Sequence, residues 1–465
     1  MTLVAGVDSS TQSVKVVVRN ADTGELLRQA RAPHPDATEV DPEIWVAALS
    51  QALDGILDGV TAMSIAGQQH GMVVLDEHGE VIRPALLWND TRSAQDALDL
   101  IDEEGGPEFW ANAVGSVPVA SFTVSKIRLL ARCEPTQASR VAKLMLPHDY
   151  LSWRLAGKPD EFFTDRGDAS GTGYWSPALN SYQPELVQRA LGHVPQLPTV
   201  LGPSDAAYET SNGLILGAGT GDNMAAALGL NVQPGDVVVS LGTSGTAFAG
   251  SRVPSADPTG IVAGFADATG NFLPLVCTLN AARILDSTAA MLGVSLDRLG
   301  ELALIAPSGA EGLVLIPYFD GERTPNLPDS HGSLHGITRT NFVDANIARA
   351  AVEGMLMGMA EAVQALEHQG VIAQRILIIG GAAANHAVAQ IAATIFAQPV
   401  FIPAPDEYVA LGAAKQAAWC AMEGSAPPTW NESDQTSAAP IAGHFNAAVL
   451  RAYQDYRGAL YDLSR

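Results

Sequence analysis

The chain has 465 residues, which exceeds a single hydrophobic core and predicts roughly three domain-sized units or two large ones. Apolar residues make up 47% of it and charged residues 16%, so a well-buried core is expected. The formal net charge is −24, which repels nucleic acid and anionic membranes and argues against both as partners. An anionic substrate therefore needs its own local site of backbone amides or a metal ion.

The N-terminal segment and the cysteines indicate the cellular compartment of the protein. The segment lacks the basic region and the long apolar run of a secretory signal. No run of 18 apolar residues predicts a membrane span. Cys133, Cys277 and Cys420 lie far apart and form no Cys-x-x-Cys pair, which is typical of a reducing compartment. We expect a cytoplasmic protein.

The first part of the chain predicts a β-hairpin followed by a helix and another strand. Turn-forming hydroxyl residues separate two β-rich runs, and a third strand begins at Leu26. The predicted elements are a strand at Leu3–Val7, a turn at Ser9–Ser13, a strand at Val14–Arg19, a helix at Pro42–Leu57 and a strand at Ala62–Ile65.

A second strand–turn–strand pattern follows later, with a strand at Asp236–Ser240, a turn at Leu241–Gly245 and a strand at Thr246–Ala249. This repetition predicts a duplicated fold. Turn residues cluster at Asn231–Gly235, where we expect the boundary. The predicted domains are therefore residues 1–232 and residues 233–465.

The C-terminal part alternates strands with helices, which predicts an α/β fold. Arg375–Ile379 reads as a buried parallel strand, and a helix is expected from Asn385 to about Ala397. A glycine turn at Leu411–Ala414 is expected to open an Ala-rich helix that ends at Met422. Glu423–Gly443 is expected to be a loose surface excursion.

Asp222 is the foremost candidate for catalysis. It is a lone carboxylate in the glycine-rich run Gly217–Asn223, where glycines let a backbone approach a ligand closely. A buried carboxylate can act as a general base. The alternative is that Asp222 is the N-cap of a following helix.

Two hydroxyl- and glycine-rich turns could wrap phosphates with backbone and side-chain donors. They are Asp8–Lys15 and Leu241–Gly245. For each, an ordinary hairpin is the alternative. The chain contains no Gly-x-x-x-x-Gly-Lys-Ser/Thr motif, so a nucleotide would not be held by a P-loop.

A third constellation has the composition of a carbohydrate pocket. Gln69 and His70 follow a strand and could hydrogen-bond sugar hydroxyls. Trp88 and Asn89 lie in a polar segment with an aromatic face. A structural histidine and a solvated loop are the alternatives.

Together these features resemble the FGGY family of carbohydrate kinases over nearly the whole chain. Pro317–Pro325 is similar to the family's Pro-Tyr-x-x-Gly-Glu-Arg-Thr-Pro, and Gly332–Ile337 with Asn346–Glu353 resembles one family signature. The resemblance implies two ribonuclease-H-like (actin-like) domains, with ATP and sugar meeting in an interdomain cleft. It would give residues 1–232 the sugar site and the first phosphate hairpin, and residues 233–465 the second phosphate turn and an adenosine site.

The resemblance also implies site residues. Asp222 would be the general base, and Asp8 would orient Mg²⁺ or its waters. The sugar would contact Gln69, His70, Trp88, Asn89, Asp222 and Asn223. ATP would contact Ser10, Thr11, Gln12, Lys15, Gly242, Thr243, Ser244, Gly380, Gly381, Ala382 and Asn385.

This sequence departs from the family pattern at a few positions. Ser10 and Ala382 stand where glycine is usual, and Val388 and Leu129 where tryptophan is frequent. These departures bear on adenine affinity and local packing, and none removes a catalytic group.

The sugar specificity also follows from resemblance. Family members that act on glycerol have an Arg-Glu pair where this chain has Gln69–His70, whereas Trp88–Arg92, Leu146–Leu151 and Asp165–Gly173 look like those that phosphorylate D-xylulose. Alternatives are another ketopentose, gluconate or glycerol, and a non-kinase actin-like ATPase or sugar sensor. The expected partners are a small sugar and ATP, and a homodimer is left open.

Overall fold

The computed structural model describes residues 2–430 and 439–461. Its strands, in chain order, are β1 Leu3–Ser9, β2 Ser13–Asn20, β3 Leu26–Pro33, β4 Glu39–Val40, β5 Val60–Gly67, β6 Val73–Leu75, β7 Ala85–Leu86, β8 Lys143–Met145, β9 Phe163–Asp165, β10 Trp175–Ser176, β11 Ser181–Tyr182, β12 Thr199–Leu201, β13 Ala206–Glu209, β14 Ile215–Gly217, β15 Thr220–Gly221, β16 Asp236–Leu241, β17 Gly245–Ala249, β18 Ala263–Ala266, β19 Phe272–Thr278, β20 Val314–Ile316, β21 Ser333–His335, β22 Arg375–Ile379 and β23 Val400–Phe401.

The α-helices in the described ranges alternate with these strands through most of the chain. They are α1 Pro42–Leu53, α2 Ala94–Glu103, α3 Pro107–Val114, α4 Thr123–Cys133, α5 Pro135–Ala138, α6 Pro147–Leu155, α7 Arg166–Ala169, α8 Pro184–Leu191, α9 Asp222–Gly229, α10 Ala282–Leu292, α11 Leu296–Ile305, α12 Asp344–His368, α13 His386–Ile395, α14 Tyr408–Met422 and α15 Ala447–Tyr461.

The chain folds into two compact units. Unit 1 contains the described residues of Met1–Val232, Ser251–Pro274 and Asp406–Glu432, and unit 2 contains those of Gln233–Gly250, Leu275–Pro405 and Ser433–Arg465. Each unit combines a mainly β core with helices. The functions assigned above to the two predicted domains stay predictions.

Unit 1 is built around a sheet of order β13-β14-β5-β1-β2-β3, with β15 also paired to β5. β1 runs antiparallel to β2 and parallel to β5. Alternate residues of β1 face opposite sides, as the period of a strand requires. Val7 packs in one cluster with Trp45 of α1, and Val4 packs in another with Ala414 of α14.

Helix α14 corrects one expectation. The sequence suggested a glycine turn at Leu411–Ala414, whereas Gly412 lies inside the helix. The reason is packing, because a Cβ at Gly412 would overlap the carbonyl oxygen of Ala225 in α9. Glycine here allows two helices to approach closely rather than to turn the chain.

Unit 2 repeats the strand order of unit 1. Its sheet places Leu275–Thr278 of β19 beside β17, followed by β16, β22 and β23. β16 and β17 form an antiparallel hairpin, and β22 runs parallel to β16. The hairpin with a parallel third strand therefore occurs in both units, which fits the predicted duplication.

Other predicted elements differ in detail. α1 ends at Leu53 rather than Leu57, and a turn with Gly55 at φ +68° follows it. The expected excursion at Glu423–Gly443 falls partly on residues 431–438, outside the described residues. Within the described part Trp430 is buried and donates a hydrogen bond to the carbonyl of Ala21, so it anchors the chain. In the described ranges, every helix is too short or too polar to cross a bilayer.

Candidate active site

Three strand ends bring the candidate residues of unit 1 together. Asp8 in β1 lies opposite Ala66 in β5, and Thr220 in β15 lies opposite the same residue on the other side. The chain continues from β5 into Gln69 and from β15 into Asp222. Because these parallel strands end at one edge of the sheet, residues far apart in sequence converge there.

The first turn predicted to bind phosphates joins β1 to β2. The Ser10 hydroxyl donates a hydrogen bond to the Asp8 carboxylate, and the Lys15 ammonium lies 3.8 Å from that carboxylate. Burial raises the pKa of Asp8 to about 6, although the Ser10 hydrogen bond and the charge of Lys15 lower it. Lys15 also pairs with Glu407 at 2.6 Å. The predicted phosphate contact of Lys15 therefore stays a prediction, since both of these partners are acidic.

The remaining residues of this turn are accessible. Ser10 and Thr11 are partly buried, and Gln12 is exposed. The imidazole Nδ1 of His34 lies 2.8 Å from the Ser10 carbonyl oxygen, and the His34 backbone N–H donates to Gln12. These contacts hold the backbone of the turn in place.

Asp222 is the first residue of α9. The N-cap is Gly221, so the alternative reading of Asp222 as an N-cap is wrong. The carboxylate accepts hydrogen bonds from the backbone N–H of Asn223 at 2.8 Å and from its side-chain amide at 2.9 Å. Burial raises the pKa of Asp222 to about 7, the nearby charge of Asp8 raises it further, and the Asn223 hydrogen bond opposes both. Such a carboxyl is balanced between its acid and base forms near neutral pH.

Gln69 and Asn223 connect Asp222 to the end of β5. The Asn223 side-chain amide donates to Gln69 Oε1 at 3.1 Å as well as to Asp222. The Gln69 amide nitrogen is buried without a hydrogen-bond partner among the described residues. A buried amide in that state suits a ligand or water with an acceptor oxygen. The structure thus brings three of the predicted sugar-binding residues together.

His70 has a left-handed backbone, with φ +67°, a conformation that costs energy for a non-glycine residue. Its ring stacks on Phe122 at 4.8 Å between centroids, and its Nδ1 lies 2.6 Å from the carbonyl oxygen of Gly171. Because a carbonyl can only accept, Nδ1 carries the proton. In the neutral ring Nε2 is then the acceptor nitrogen.

Trp88 and Asn89 follow β7. The indole N–H of Trp88 donates to the Thr11 hydroxyl at 2.8 Å, so this segment contacts the phosphate turn. Asn89 Oδ1 is buried without a partner among the described residues. Asp90 is buried and hydrogen-bonds the Arg92 guanidinium. The alternative of a loosely solvated loop does not fit these contacts.

In unit 2, the two predicted nucleotide segments meet. β16 and β22 are parallel, with Ser240 opposite Ile379, so the turns that follow them lie at the same sheet edge. A Cβ at Gly380, which has φ +93°, would lie 2.6 Å from the Leu241 carbonyl oxygen. Glycine is therefore required for this close approach.

The other predicted nucleotide residues lie around this contact. Gly242 and Ser244 are partly buried, Thr243 and Gly381 are exposed, and Ala382 is buried. Asn385 caps α13 by accepting from the Ala387 N–H and donates to Leu296. Its side chain thus has a structural role, and its predicted contact with ATP stays a prediction.

The sequence reasoning assigned no role to a buried charged cluster beside Asp222. It consists of His148, Asp149, Asp165 and Asp168. Both segments that carry it were noted as family-like. A histidine and three carboxylates within these two short segments were the available signal.

Comparison with known proteins identifies the family. Residues 3–229 match the FGGY family of carbohydrate kinases, N-terminal domain, and residues 237–421 match its C-terminal domain. The chain is 44% identical over 459 residues to a xylulose kinase of Streptomyces rubiginosus, covering 94% of this chain and 92% of that protein. It is 45% identical over 432 residues to a xylulose kinase of Streptomyces coelicolor, covering 90% and 87%.

A solved structure agrees with this. The crystal structure of xylulose kinase from Bifidobacterium adolescentis superposes with a TM-score of 0.90 at 44% identity, covering 98% of this chain and 99% of that chain. FGGY kinases have two mixed α/β domains of the actin-like ATPase fold, so the expected fold class is confirmed. The chain belongs to the FGGY family of carbohydrate kinases, and it is a sugar kinase that acts as a phosphotransferase.

Proposed function

We propose that this enzyme uses ATP to phosphorylate D-xylulose at its C5 hydroxyl, with Asp222 as the general base. The observation that carries the assignment of the base is the Asp222–Asn223–Gln69 constellation, with the pKa of Asp222 raised to about 7. The sugar is supported by the two Streptomyces relatives named xylulose kinase.

The reaction is an in-line displacement. The sugar oxygen attacks the γ-phosphorus, an oxygen–phosphorus bond forms, and the bond to the β,γ-bridging oxygen breaks to release ADP. Asp222 accepts the hydroxyl proton as this occurs. The Asn223 amide holds the carboxylate through a hydrogen bond to one oxygen, which leaves the other oxygen for the substrate.

The substrate-binding roles follow from the contacts. Gln69 and Asn89 present buried amide atoms that the described residues leave unpaired, and a sugar hydroxyl can satisfy them. His70 is fixed by Phe122 and Gly171, so its ring has a defined orientation from which to contact the sugar. A pocket of this kind discriminates by hydroxyl position, because a wrong sugar leaves polar groups unpaired.

Asp8 fits a magnesium ion. It is a buried carboxylate whose negative charge acts on Asp222, so the site gathers negative charge that a divalent cation would offset. Mg²⁺ is bound by one or two carboxylates together with substrate phosphates. Among the described residues, no group of three or more His, Cys, Asp or Glu side chains is placed so that it could hold a metal ion. When bound, the ion would neutralise charge on the phosphoryl oxygens.

The experiment is a coupled ADP-release assay against D-xylulose, other pentuloses, gluconate and glycerol. We expect D-xylulose to have the highest kcat/KM. Glycerol or gluconate phosphorylated at least as efficiently would overturn the choice of sugar. Membership of the kinase family would not be affected by that result.

A further inference from the structure

A buried histidine lies beside the backbone segment that leads to Asp222 and has no part in the mechanism proposed above. His148, the second residue of α6, is completely buried. Its Nδ1 lies 2.7 Å from Asp168 Oδ2, and its Nε2 lies 3.1 Å from Asp149 Oδ1 and 3.9 Å from Asp165 Oδ1. Three carboxylates thus surround one imidazole.

Two of these residues, Asp168 and Asp165, link His148 to the strand that precedes Asp222. Asp165 caps α7 by accepting from the backbone N–H groups of Gly167 and Asp168. Its Oδ2 also accepts the Thr220 hydroxyl at 2.8 Å. Thr220 belongs to β15, two residues before Asp222. A chain of polar contacts therefore runs from His148 to the backbone that carries the base.

The ring of His148 also fills space beside that backbone. Gly219 has φ +79°, and a Cβ there would overlap the His148 ring at Cδ2. A Cβ at Gly67, in β5, would lie 3.0 Å from His148 Cβ. The Gly219 carbonyl accepts a hydrogen bond from Gln416 at 2.9 Å. The segment from Gly219 to Gly221 is thus held by a ring, a hydroxyl contact and an amide.

The electrostatics agree with this geometry. Burial disfavours the imidazolium, but the charges of Asp149, Asp168 and Asp165 together outweigh it and raise the pKa of His148 to about 9. The carboxylates therefore favour the cationic form of His148. It opposes the negative charge of Asp168, which itself acts on Asp222. Burial of an imidazolium costs solvation free energy, and nearby carboxylates can offset that cost.

We propose that His148 is a positioning residue for phosphoryl transfer: through its contacts with Gly219 and with the Asp168–Asp165–Thr220 chain, it holds the Asp222 carboxylate in the orientation needed to accept the sugar proton. The inference rests on the proposed role of Asp222. His148 touches neither sugar nor ATP in this scheme. It acts through the segment Gly219–Gly221.

The test compares two substitutions at His148. His148→Leu removes both ring nitrogens and the charge, whereas His148→Asn keeps an N–H that can donate to Asp168. A misplacement of the base by an ångström can cost about 100-fold in rate, so we expect kcat of His148→Leu to fall about 100-fold. The KM values for sugar and ATP should stay within about threefold. The kcat of His148→Asn should be about tenfold higher than that of His148→Leu.

Misfolding is separated from mispositioning by counting intact sites. Calorimetric titration with the sugar gives the number of binding sites per chain, and kcat is expressed per site.

Thr220→Val is the second variant. It removes the hydroxyl contact to Asp165 without touching His148, and it should lower kcat per site about tenfold. His193→Asn is the matched control, because His193 Nε2 lies 2.7 Å from a backbone carbonyl oxygen, that of Val141. Its kcat should stay within about twofold of wild type.

The outcomes separate this inference from the proposed function. All variants are assayed with whichever sugar the wild type phosphorylates fastest, so failure of wild type on D-xylulose overturns the choice of sugar alone. Unchanged kcat per site in both His148→Leu and Thr220→Val overturns the positioning role. A rise in KM at constant kcat overturns it as well, since that result would assign His148 to substrate binding.

Discussion

The indole N–H of Trp88 donates a hydrogen bond to the hydroxyl of Thr11 at 2.8 Å, across 77 positions of sequence. Thr11 lies in the turn predicted to bind ATP phosphates, and Trp88 lies in the segment predicted to contact the sugar. The two predicted subsites of unit 1 are therefore joined by one direct contact. A substitution in one subsite should therefore change the effect of a substitution in the other.

This contact predicts non-additive kinetics. Trp88→Phe and Thr11→Val each remove one partner, and either alone should lower kcat/KM for the sugar by about two- to tenfold, because a hydrogen bond is worth roughly 1 kcal/mol. Residues in direct contact show coupling. We expect the double variant to lose little more than the worse single variant. Multiplicative losses in the cycle would show that the contact carries no coupling.

Part of this site could be predicted from sequence, because its residues lie in short motifs. Asp8 and Asp222 each follow β-rich or glycine-rich runs, and the turns between paired strands were visible from hydroxyl and glycine residues. The repeated strand–turn–strand pattern also indicated the second hairpin at β16 and β17. Local pattern is a good guide where local geometry decides the structure.

Other features depend on contacts that sequence does not display. Gly412 looked like a turn residue and lies in a helix, because its small size is used against Ala225. The role of His148 depends on carboxylates 17 and 20 positions away and on a glycine beyond them. Trp430 lies in a polar segment, yet it is buried against the first hairpin. Tertiary packing decided each of these.

His70→Ala should weaken sugar recognition. The ring is held by Phe122 and Gly171, so its loss removes a defined hydrogen-bonding nitrogen and leaves sugar hydroxyls unpaired. We expect KM for the sugar to rise about tenfold or more, with KM for ATP within about twofold. Steady-state kinetics with each substrate varied in turn measures both, and His193→Ala is the control. A change confined to KM for ATP would remove His70 from the sugar site.

Asp8→Ala should shift the dependence on Mg²⁺. The buried Asp8 carboxylate is the group we propose orients the ion, so its loss should raise the Mg²⁺ concentration needed for half-maximal rate and lower the maximal rate at least tenfold. Asp22→Asn, at an exposed position in the next turn of the same sheet, is the control. A titration curve for Asp8→Ala that overlays the wild-type curve would exclude Asp8 from the surroundings of the metal.

The reaction should lose rate as the pH falls. The base must be ionised, and the pKa of Asp222 is raised to about 7 and that of Asp8 to about 6. Protonation of a carboxylate with a raised pKa begins at a higher pH than usual, so kcat/KM should fall below about pH 7 and more steeply below about pH 6. The profile of kcat/KM reports groups of the free enzyme. A flat profile from pH 5.5 to 8 would contradict both ionisations.

Substitution of Asp222 tests its proposed role as the general base. Asp222→Asn keeps the shape of the side chain and removes the proton acceptor. Because the folded-state pKa of Asp222 is raised to about 7 from its ordinary value of 3.8, the ionised carboxylate destabilises the folded protein at pH 8, and its removal should raise Tm. A raised or unchanged Tm therefore shows that the variant is folded.

The decisive quantity is kcat for ADP release with saturating D-xylulose and ATP, compared between wild type and Asp222→Asn at pH 8. General-base catalysis contributes on the order of 100- to 10,000-fold, so kcat of Asp222→Asn should be at least about 100-fold lower than that of wild type. A kcat within about tenfold of wild type, which corresponds to roughly 1.4 kcal/mol of barrier, would contradict Asp222 as the base.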